Sequence, residues 1–314
     1  MEEVKVSVII PTHNNADTIE RAIMSVVNQD FDLPYEIVVV QDACTDNTGE
    51  IVAGLKEKYD YINTFSVNNR SVMATRRDGL NAAKGEYIMW LDGDDWYGPK
   101  MISSLYNAIK ETNADVVNSN LKWVTKKGVK TAPFAKKKVY SQKQAFKAFL
   151  YDVSYIGYLM IKIFRKDLLQ KVDLNSFPDG HYMYEDTIIN AKYILLSEKV
   201  ACIKDANLFY NKLNENSITS SSSTRIQDDI NAHAYVRKCI EEAGDENLLK
   251  IFRHTYFRNW LNLIVDIKLN RYENKEQKKE IVKQAKKDLR DIYSKNPLKI
   301  EGKSYSAFIS SFRK

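Results

Sequence analysis

The sequence predicts an α/β fold: a mainly parallel sheet flanked by helices, followed by a small helical region. Three observations carry that prediction. The runs "VSVII" (6–10), "EIVVV" (36–40) and "YIMWL" (87–91) are short and dominated by apolar residues, as strands covered on both faces are. Between them, apolar residues recur at helical spacing, so that strand and helix alternate. Beyond about residue 220 strand-like runs stop, and residues 225–294 read as helix.

Each element has its own justification. After strand 6–10, residues Ile19, Ala22, Ile23, Val26 and Val27 share one helical face, with Asp17 and Glu20 placed as cap and capping-box partner. Strand 36–40 leads to a helix expected over 46–58, with Asp46 as its N-cap. "YINTFSV" (61–67) reads as a strand, and the next helix runs through Leu80 to Ala83 before strand 87–91. A helix near 100–112 precedes "ADVVNSNLKWV" and a lysine-rich, hairpin-like stretch with Gly128 and Pro133. A helix near 141–151 leads to "YLMIKIFRK", expected as a strand, and "YEDTIINAKYILL" (184–196) reads as a helix with two acids in its first turn. "ITSSSST" (218–224) reads as a linker, dividing a main domain, 1–222, from a helical appendage, 223–314.

The bulk numbers narrow the class. With 314 residues, 44% of them hydrophobic, the chain can bury a sizeable core. Its longest apolar runs are strand-sized and fall short of a membrane span. The start, "MEEVKVSVII", lacks the basic leader of a secretory signal, and Cys44, Cys202 and Cys239 lack metal-ligand spacing. Reduced thiols and a cytoplasmic location are expected. The net charge of +6 is unevenly spread: residues 1–100 hold 9 Lys and Arg against 17 Asp and Glu, and the rest 38 against 24. From Val116 to Tyr151 there are nine lysines and no acid. Such a surface favours an anionic partner, whether phosphate polymer, lipid headgroup or nucleic acid; the plainer reading is a solvated lysine face.

The residue types that suggest chemistry follow the strands, where parallel sheets bind ligands. Asp92, Asp94 and Asp95 lie within four positions after strand 87–91 and would repel one another unless something positive sat among them. Asp92 and Asp94, on a turn with Gly93, can share a hard divalent cation, Mg²⁺ or Mn²⁺. The ligand spacing of a calcium EF-hand is missing. Asp42 ends the second strand and could accept hydrogen bonds from a nucleobase or cap a turn. Arg76 and Arg77 offer permanent charge to a polyphosphate. Glu185 and Asp186 open a helix whose dipole favours their ionised forms, which suits a general base.

Together, "VSVIIPTHNNADTIERAIMSVVNQ", "EIVVVQDACTDNT", "TRRDGLNAAKGEYIMWLDGDD", "YEDTIINA" and "FYNKLNENSIT" resemble, in order, the GT-A nucleotide-sugar glycosyltransferases of inverting family 2, of the bacterial cell-surface polysaccharide type. The resemblance covers roughly the first 220 residues. It implies that Pro11 and Thr12 line the nucleotide pocket with Asp42 on the base. Asp92 and Asp94 become the family's Asp-x-Asp motif, Asp94 being the direct metal ligand and Asp92 oriented to ribose or diphosphate. Arg76 helps to hold the donor, Asp186 is the catalytic base, Glu185 helps to bind the acceptor, and Ser217 lies near the diphosphate. A nucleoside-diphosphate-sugar is the implied donor, Mn²⁺ or Mg²⁺ the implied metal, and a glycan, teichoic-acid-like or lipid-linked molecule the implied acceptor, at the inner face of the membrane.

Two departures stand out. Gln41 replaces the first acid of the family's common Asp-Asp pair, and Arg70 stands where a glycine commonly follows the asparagine. The family's Gln-x-x-Arg-Trp motif is missing, which argues against a processive synthase. Two rivals remain in view. A nucleotidyltransferase would show a glycine-rich basic loop after the first strand, where "PTHNNADT" stands. A polyanion-binding protein would use the lysines, but has no need of an acidic site at a strand end; no nucleic-acid partner is expected. For the C-terminal helices, packing on the main domain, contact with a membrane surface and self-association all stay open.

Overall fold

The computed structural model describes residues 3–132, 138–151, 157–175, 184–214, 225–253, 255 and 256, together with 279, 283 and 287. The chain forms two compact units, Met1–Leu248 and Leu249–Lys314. The boundary expected at 222/223 lies outside the described residues.

The first unit is built on a sheet whose centre is parallel. Strands β1 (Val6–Thr12), β2 (Tyr35–Asp42), β3 (Ile62–Val67) and β4 (Tyr87–Trp90) are joined through helices α1 (Ile19–Val27), α2 (Thr48–Lys58) and α3 (Val72–Ala82), and lie in the order β3-β2-β1-β4. All four run parallel, with Ile9 opposite both Val38 and Trp90. Every residue of β1 is buried. Since successive side chains point to opposite faces, both faces of the sheet are covered at this strand. Helix α3 lies so close that a Cβ on Gly79 would fall 2.3 Å from Ile9 Cγ2.

The rest of the sheet is mixed. After β5 (Trp96–Tyr97) and α4 (Met101–Thr112) come β6 (Val116–Thr125), β7 (Gly128–Thr131), β8 (Lys138–Ser141) and α5 (Gln142–Tyr151). A 3₁₀ turn at Leu159–Ile161 precedes β9 (Lys162–Arg165), α6 (Lys166–Leu169), α7 (Glu185–Leu196), β10 (Lys199–Asn211) and α8 (Arg225–Glu242). Strand β9 enters between β4 and β6, antiparallel to both, and β10 pairs parallel with β6 and antiparallel with β5. The lysine-rich hairpin is β6–β7, turning at Gly128 with φ +107°.

Three local expectations are corrected. Helix α1 begins at Ile19 with Thr18, not Asp17, at its N-cap, and no side chain caps it. The Thr18 hydroxyl is instead donated across to the Gly93 carbonyl, 2.8 Å away. Asp46 lies one residue before the N-cap Asn47 of α2; it accepts from Thr48 N and, with its other oxygen, from Ala16 N at 3.0 Å, strapping two loops together. The stretch expected as one strand from Tyr158 opens as a 3₁₀ turn, and only its second half joins the sheet. Among the described residues no helix is long and apolar enough to cross a membrane.

Candidate active site

The carboxyl ends of β1, β2 and β4 meet at one edge, and the loops leaving them are locked to one another. Asp92 to Asp95 form the turn between β4 and β5, closed by Asp95 N donating to Asp92 O at 3.0 Å. Tyr97, just beyond, donates its hydroxyl to Trp90 O at 2.6 Å and so ties β5 back to the end of β4. From the α1 side Thr18 reaches Gly93 O, and Arg21, stacked 3.9 Å over Trp96, donates to Asp94 O at 2.9 Å. From the β10 side Asn211 N donates to Asp95 Oδ1 and Asn214 Nδ2 to Asp94 Oδ2, each at 2.8 Å. Gly93 leaves no room for a side chain: a Cβ there would sit 2.8 Å from Asn15 Oδ1 and 3.0 Å from Thr12 Oγ1. Gly93→Ala is therefore expected to cost about 1–3 kcal/mol through overpacking. The variant's thermal midpoint tests this, and an unchanged value would refute it.

The three aspartates separate in environment. Asp95 is 1% exposed, and burial, then the charges of Asp92 and Asp94, push its carboxyl well above the usual range. Its Oδ2 is buried without a hydrogen-bond partner among the described residues. Burial of an unpartnered oxygen favours the protonated form of such a group, which here shapes the turn. Asp94 is raised too, by burial first and Asp92 after, against the lowering effect of Asn214. Asp92 is more open than Asp95: its side chain is 29% exposed, and among the described residues the hydrogen bond to it comes from Arg76.

Arg76 joins the two halves of the site. It lies on α3 at 2% exposure and donates through one terminal nitrogen to Asp92 Oδ1, 2.6 Å away, and through the other to Glu185 Oε1 at the start of α7. Burial opposes its charge, but the Asp92 and Glu185 carboxylates outweigh that and strengthen its hold on the proton. Its Nε is buried without a partner among the described residues. Both forks of the guanidinium are thus committed to the protein.

Asp186 follows Glu185 in the first turn of α7. Its Oδ1 accepts from Thr187 N at 2.6 Å and Thr187 Oγ1 at 3.4 Å. Burial and the Glu185 charge raise its carboxyl to about 7, with Arg76 and Lys162 pulling the other way. A Cβ on Gly157 would fall 3.8 Å from Asp186 Oδ2, so the 157–158 backbone walls one side of that carboxyl. That wall is fixed by two buried side chains: Asn190 donates to Gly157 O and Lys162 to Tyr158 O.

The remaining expected positions lie along the same edge. Pro11 and Thr12 end β1, and Thr12 Oγ1 donates to Asn15 Oδ1 at 2.8 Å. Asp42 is turned onto the backbone that follows β3, accepting from Arg70 N, Ser71 N and Thr75 Oγ1 at 2.8–3.1 Å, while its carbonyl accepts from His13 Nδ1. Ser217 lies outside the described residues. Asn14, Ala43, Arg70 and Tyr184 have φ between +50° and +67°, a left-handed conformation costly for non-glycine residues. Three follow β1, β2 and β3, and the fourth precedes Glu185. Arg70 shows why glycine is common there: the backbone needs positive φ. Sequence reasoning missed Thr18, Arg21, Asn15, Asn211 and Asn214. Only Thr18 and Arg21 left a signal, their helical spacing on the α1 face toward the turn.

A carboxylate-lined sheet edge of this kind has relatives. The family model "Glycosyl transferase family 2" matches residues 7–173, just over half of the chain. The chain belongs to glycosyltransferase family 2. It is 32% identical to the cholesterol galactosyltransferase of Borreliella burgdorferi over 69% of its length and 62% of the relative's. It is 29% identical to the poly(ribitol-phosphate) beta-glucosyltransferase of Bacillus spizizenii over 66% of its length. The chain spans 62% and 32% of those two relatives, less than two thirds of either. Its fold matches the crystal structure of Staphylococcus aureus TarS 1–349 in complex with UDP-GlcNAc, with TM-score 0.69 and 25% identity, covering 81% of this chain and 73% of that one. The GT-A architecture, with its central parallel strands flanked by helices, is thereby established for this family 2 chain.

Proposed function

We propose that this chain is an inverting glycosyltransferase, with residues 1–222 as its catalytic domain. It moves a sugar from a nucleoside diphosphate to a hydroxyl of a glycan, a phosphate-bearing surface polymer or a lipid-linked acceptor. The observation that carries this reading is Arg76, which holds Asp92 of the Asp-x-Asp turn and Glu185, neighbour of Asp186, on a single buried guanidinium. Donor-side and acceptor-side carboxylates are thereby fixed in one cluster. Support comes also from the UDP-GlcNAc bound to the TarS structure and from the polymer and sterol acceptors in the relatives' names.

Asp186 takes the proton of the acceptor hydroxyl as its oxygen bonds to the anomeric carbon. The bond from that carbon to the diphosphate oxygen breaks on the opposite face, and one displacement inverts the configuration. Glu185 and Arg76 hold the start of α7 against the donor side, and Thr187 fixes the Asp186 carboxylate. Among the described residues no three acidic, histidine or cysteine side chains form a metal cage. Two carboxylates are enough for a Mg²⁺ or Mn²⁺ that arrives with substrate phosphates, and Asp92 and Asp94 fit that donor set. When bound, such an ion would offset the charge of the diphosphate.

The raised Asp186 carboxyl gives a pH prediction with a definite sign. Below about 7 the base keeps its proton and cannot accept another; above, it is ionised. The value of kcat/KM is expected to fall about tenfold per pH unit on the acid side of that point, since kcat/KM reports the free enzyme. A flat profile between pH 5 and 8 would remove Asp186 from the role. A thermal-shift panel of nucleotide-sugars with and without Mn²⁺ tests the donor and the metal together. No stabilisation by any nucleotide-sugar would sink the reading.

A further inference from the structure

A row of rings and cations leads away from Asp186 along the outer strands. Tyr158, next to the Gly157 wall, has its ring 5.5 Å from that of Tyr210 on β10. Tyr210 stands opposite Trp123 on β6, and Trp123 stands opposite Lys130 on β7, so all three share one face of the sheet. Lys212, two residues beyond Tyr210 on that same face, places its ammonium 4.7 Å from the Trp123 ring and 6.0 Å from the Tyr210 ring. Its backbone N donates to Val124 O, and it is flanked by Asn211 and Asn214, which hold Asp95 and Asp94. The row therefore starts at the carboxylate cluster and runs outward to the exposed hairpin.

This is not a plain solvated lysine face. In such a face the ammonium groups wander in water, each compensated by a nearby acid or by salt. Here Lys212 is pinned over an aromatic ring, a contact worth about 0.5–1 kcal/mol at an exposed site. Among the described residues neither Lys130 nor Lys212 is ion-paired. Residues 116–151, the stretch that holds Lys130, contain no acid of their own. A lysine held in place over a ring and engaged in no ion pair among the described residues suits an incoming anion. The half-buried Tyr158, Tyr210 and Trp123 between the cations suit carbon-bound hydrogens of a sugar or polyol. A nucleic acid would want open ring faces on which to stack bases, and Lys212 covers Trp123.

We propose that Tyr158, Tyr210, Trp123, Lys212 and Lys130 form an extended acceptor track for a phosphate-bearing polyol or glycan chain, whose reacting hydroxyl reaches Asp186 while earlier units lie along β6, β7 and β10. The identity of the occupant as acceptor rests on the transferase reading above; the binding of the polymer does not. The test is a direct binding titration of the full chain with a short polyol-phosphate oligomer at low and physiological salt. The intact protein is expected to bind with strong salt dependence, and Lys130→Glu to weaken binding about tenfold and to lower the salt slope by about one. Trp123→Ala is a second variant expected to weaken binding; its folding is checked by its thermal midpoint, and Lys130→Glu, on an exposed strand position, carries the test alone. Nucleotide-sugar stabilisation should be the same in Lys130→Glu as in the intact protein. Unchanged oligomer affinity in Lys130→Glu would overturn the track. So would single-stranded DNA of equal charge competing as well as the oligomer. If the oligomer binds through Lys130 but no sugar transfer occurs with any donor, the track stands and the transferase reading fails.

Discussion

Replacing Asp186 by Asn is expected to slow sugar transfer by about 10²–10⁴-fold, the usual worth of a positioned acid or base. Donor affinity should stay as it is, because the substitution removes a proton acceptor and no cation or backbone contact of the donor side. Protein stability supplies the control. A carboxyl raised by burial binds protons more tightly when folded than when unfolded. Its linkage therefore lowers stability as pH rises from the unfolded carboxylate value toward about 7, and the cost persists above that point. Asn carries no such cost, so the variant should melt at the same or a higher temperature at pH 8. Undiminished transfer by a folded variant would exclude Asp186 as the base; loss of transfer with collapsed stability would point to misfolding instead.

Arg76→Met is expected to damage both activity and stability. The guanidinium is fully buried between Asp92 and Glu185, and its loss leaves two carboxylates facing each other without a cation. Removing one partner of a buried ion pair costs about 3–5 kcal/mol, which for a unit of this size lowers the melting temperature on the order of ten degrees. Arg76→Lys should restore charge but not activity, because a single ammonium cannot span two carboxylates as a planar fork does. Adding Glu185→Gln to Arg76→Met should recover part of the stability by removing one orphaned charge, and no part of the transfer. A melting temperature within a degree or so of the intact protein in Arg76→Met would contradict the bridging role.

Much of this site could be read in the sequence because its chemistry is local. Asp92, Gly93 and Asp94 are adjacent, they follow a buried strand, and a parallel sheet places strand ends at its binding edge. Glu185 and Asp186 opening a helix are equally local. The asparagines that steady the turn were not legible, since Asn211 and Asn214 lie about 120 residues away and carry no motif of their own. Nor was the partnership of Arg76. The family resemblance implies an arginine that helps to hold the donor, and only the folded chain shows that its two forks end on Asp92 and Glu185. The differing surroundings of the three aspartates were hidden for the same reason: neighbours in sequence, they differ in burial, and burial raises the Asp94 and Asp95 carboxyls.

The alternation of apolar strands with amphipathic helices was enough to determine the parallel α/β core, because a strand covered on both faces needs no information from elsewhere to be apolar throughout. The insertion of β9 between β4 and β6, antiparallel to both, was decided by tertiary structure: pairing partners compete for the same edge, and no local pattern names the winner. The lysine-rich stretch shows the same division. Its charge was plain in the sequence, but its meaning changed when Trp123, Tyr210 and Lys212 came together from strands some 90 residues apart. Charge is a sum over residues, whereas a site is a set of distances, and only the fold sets distances.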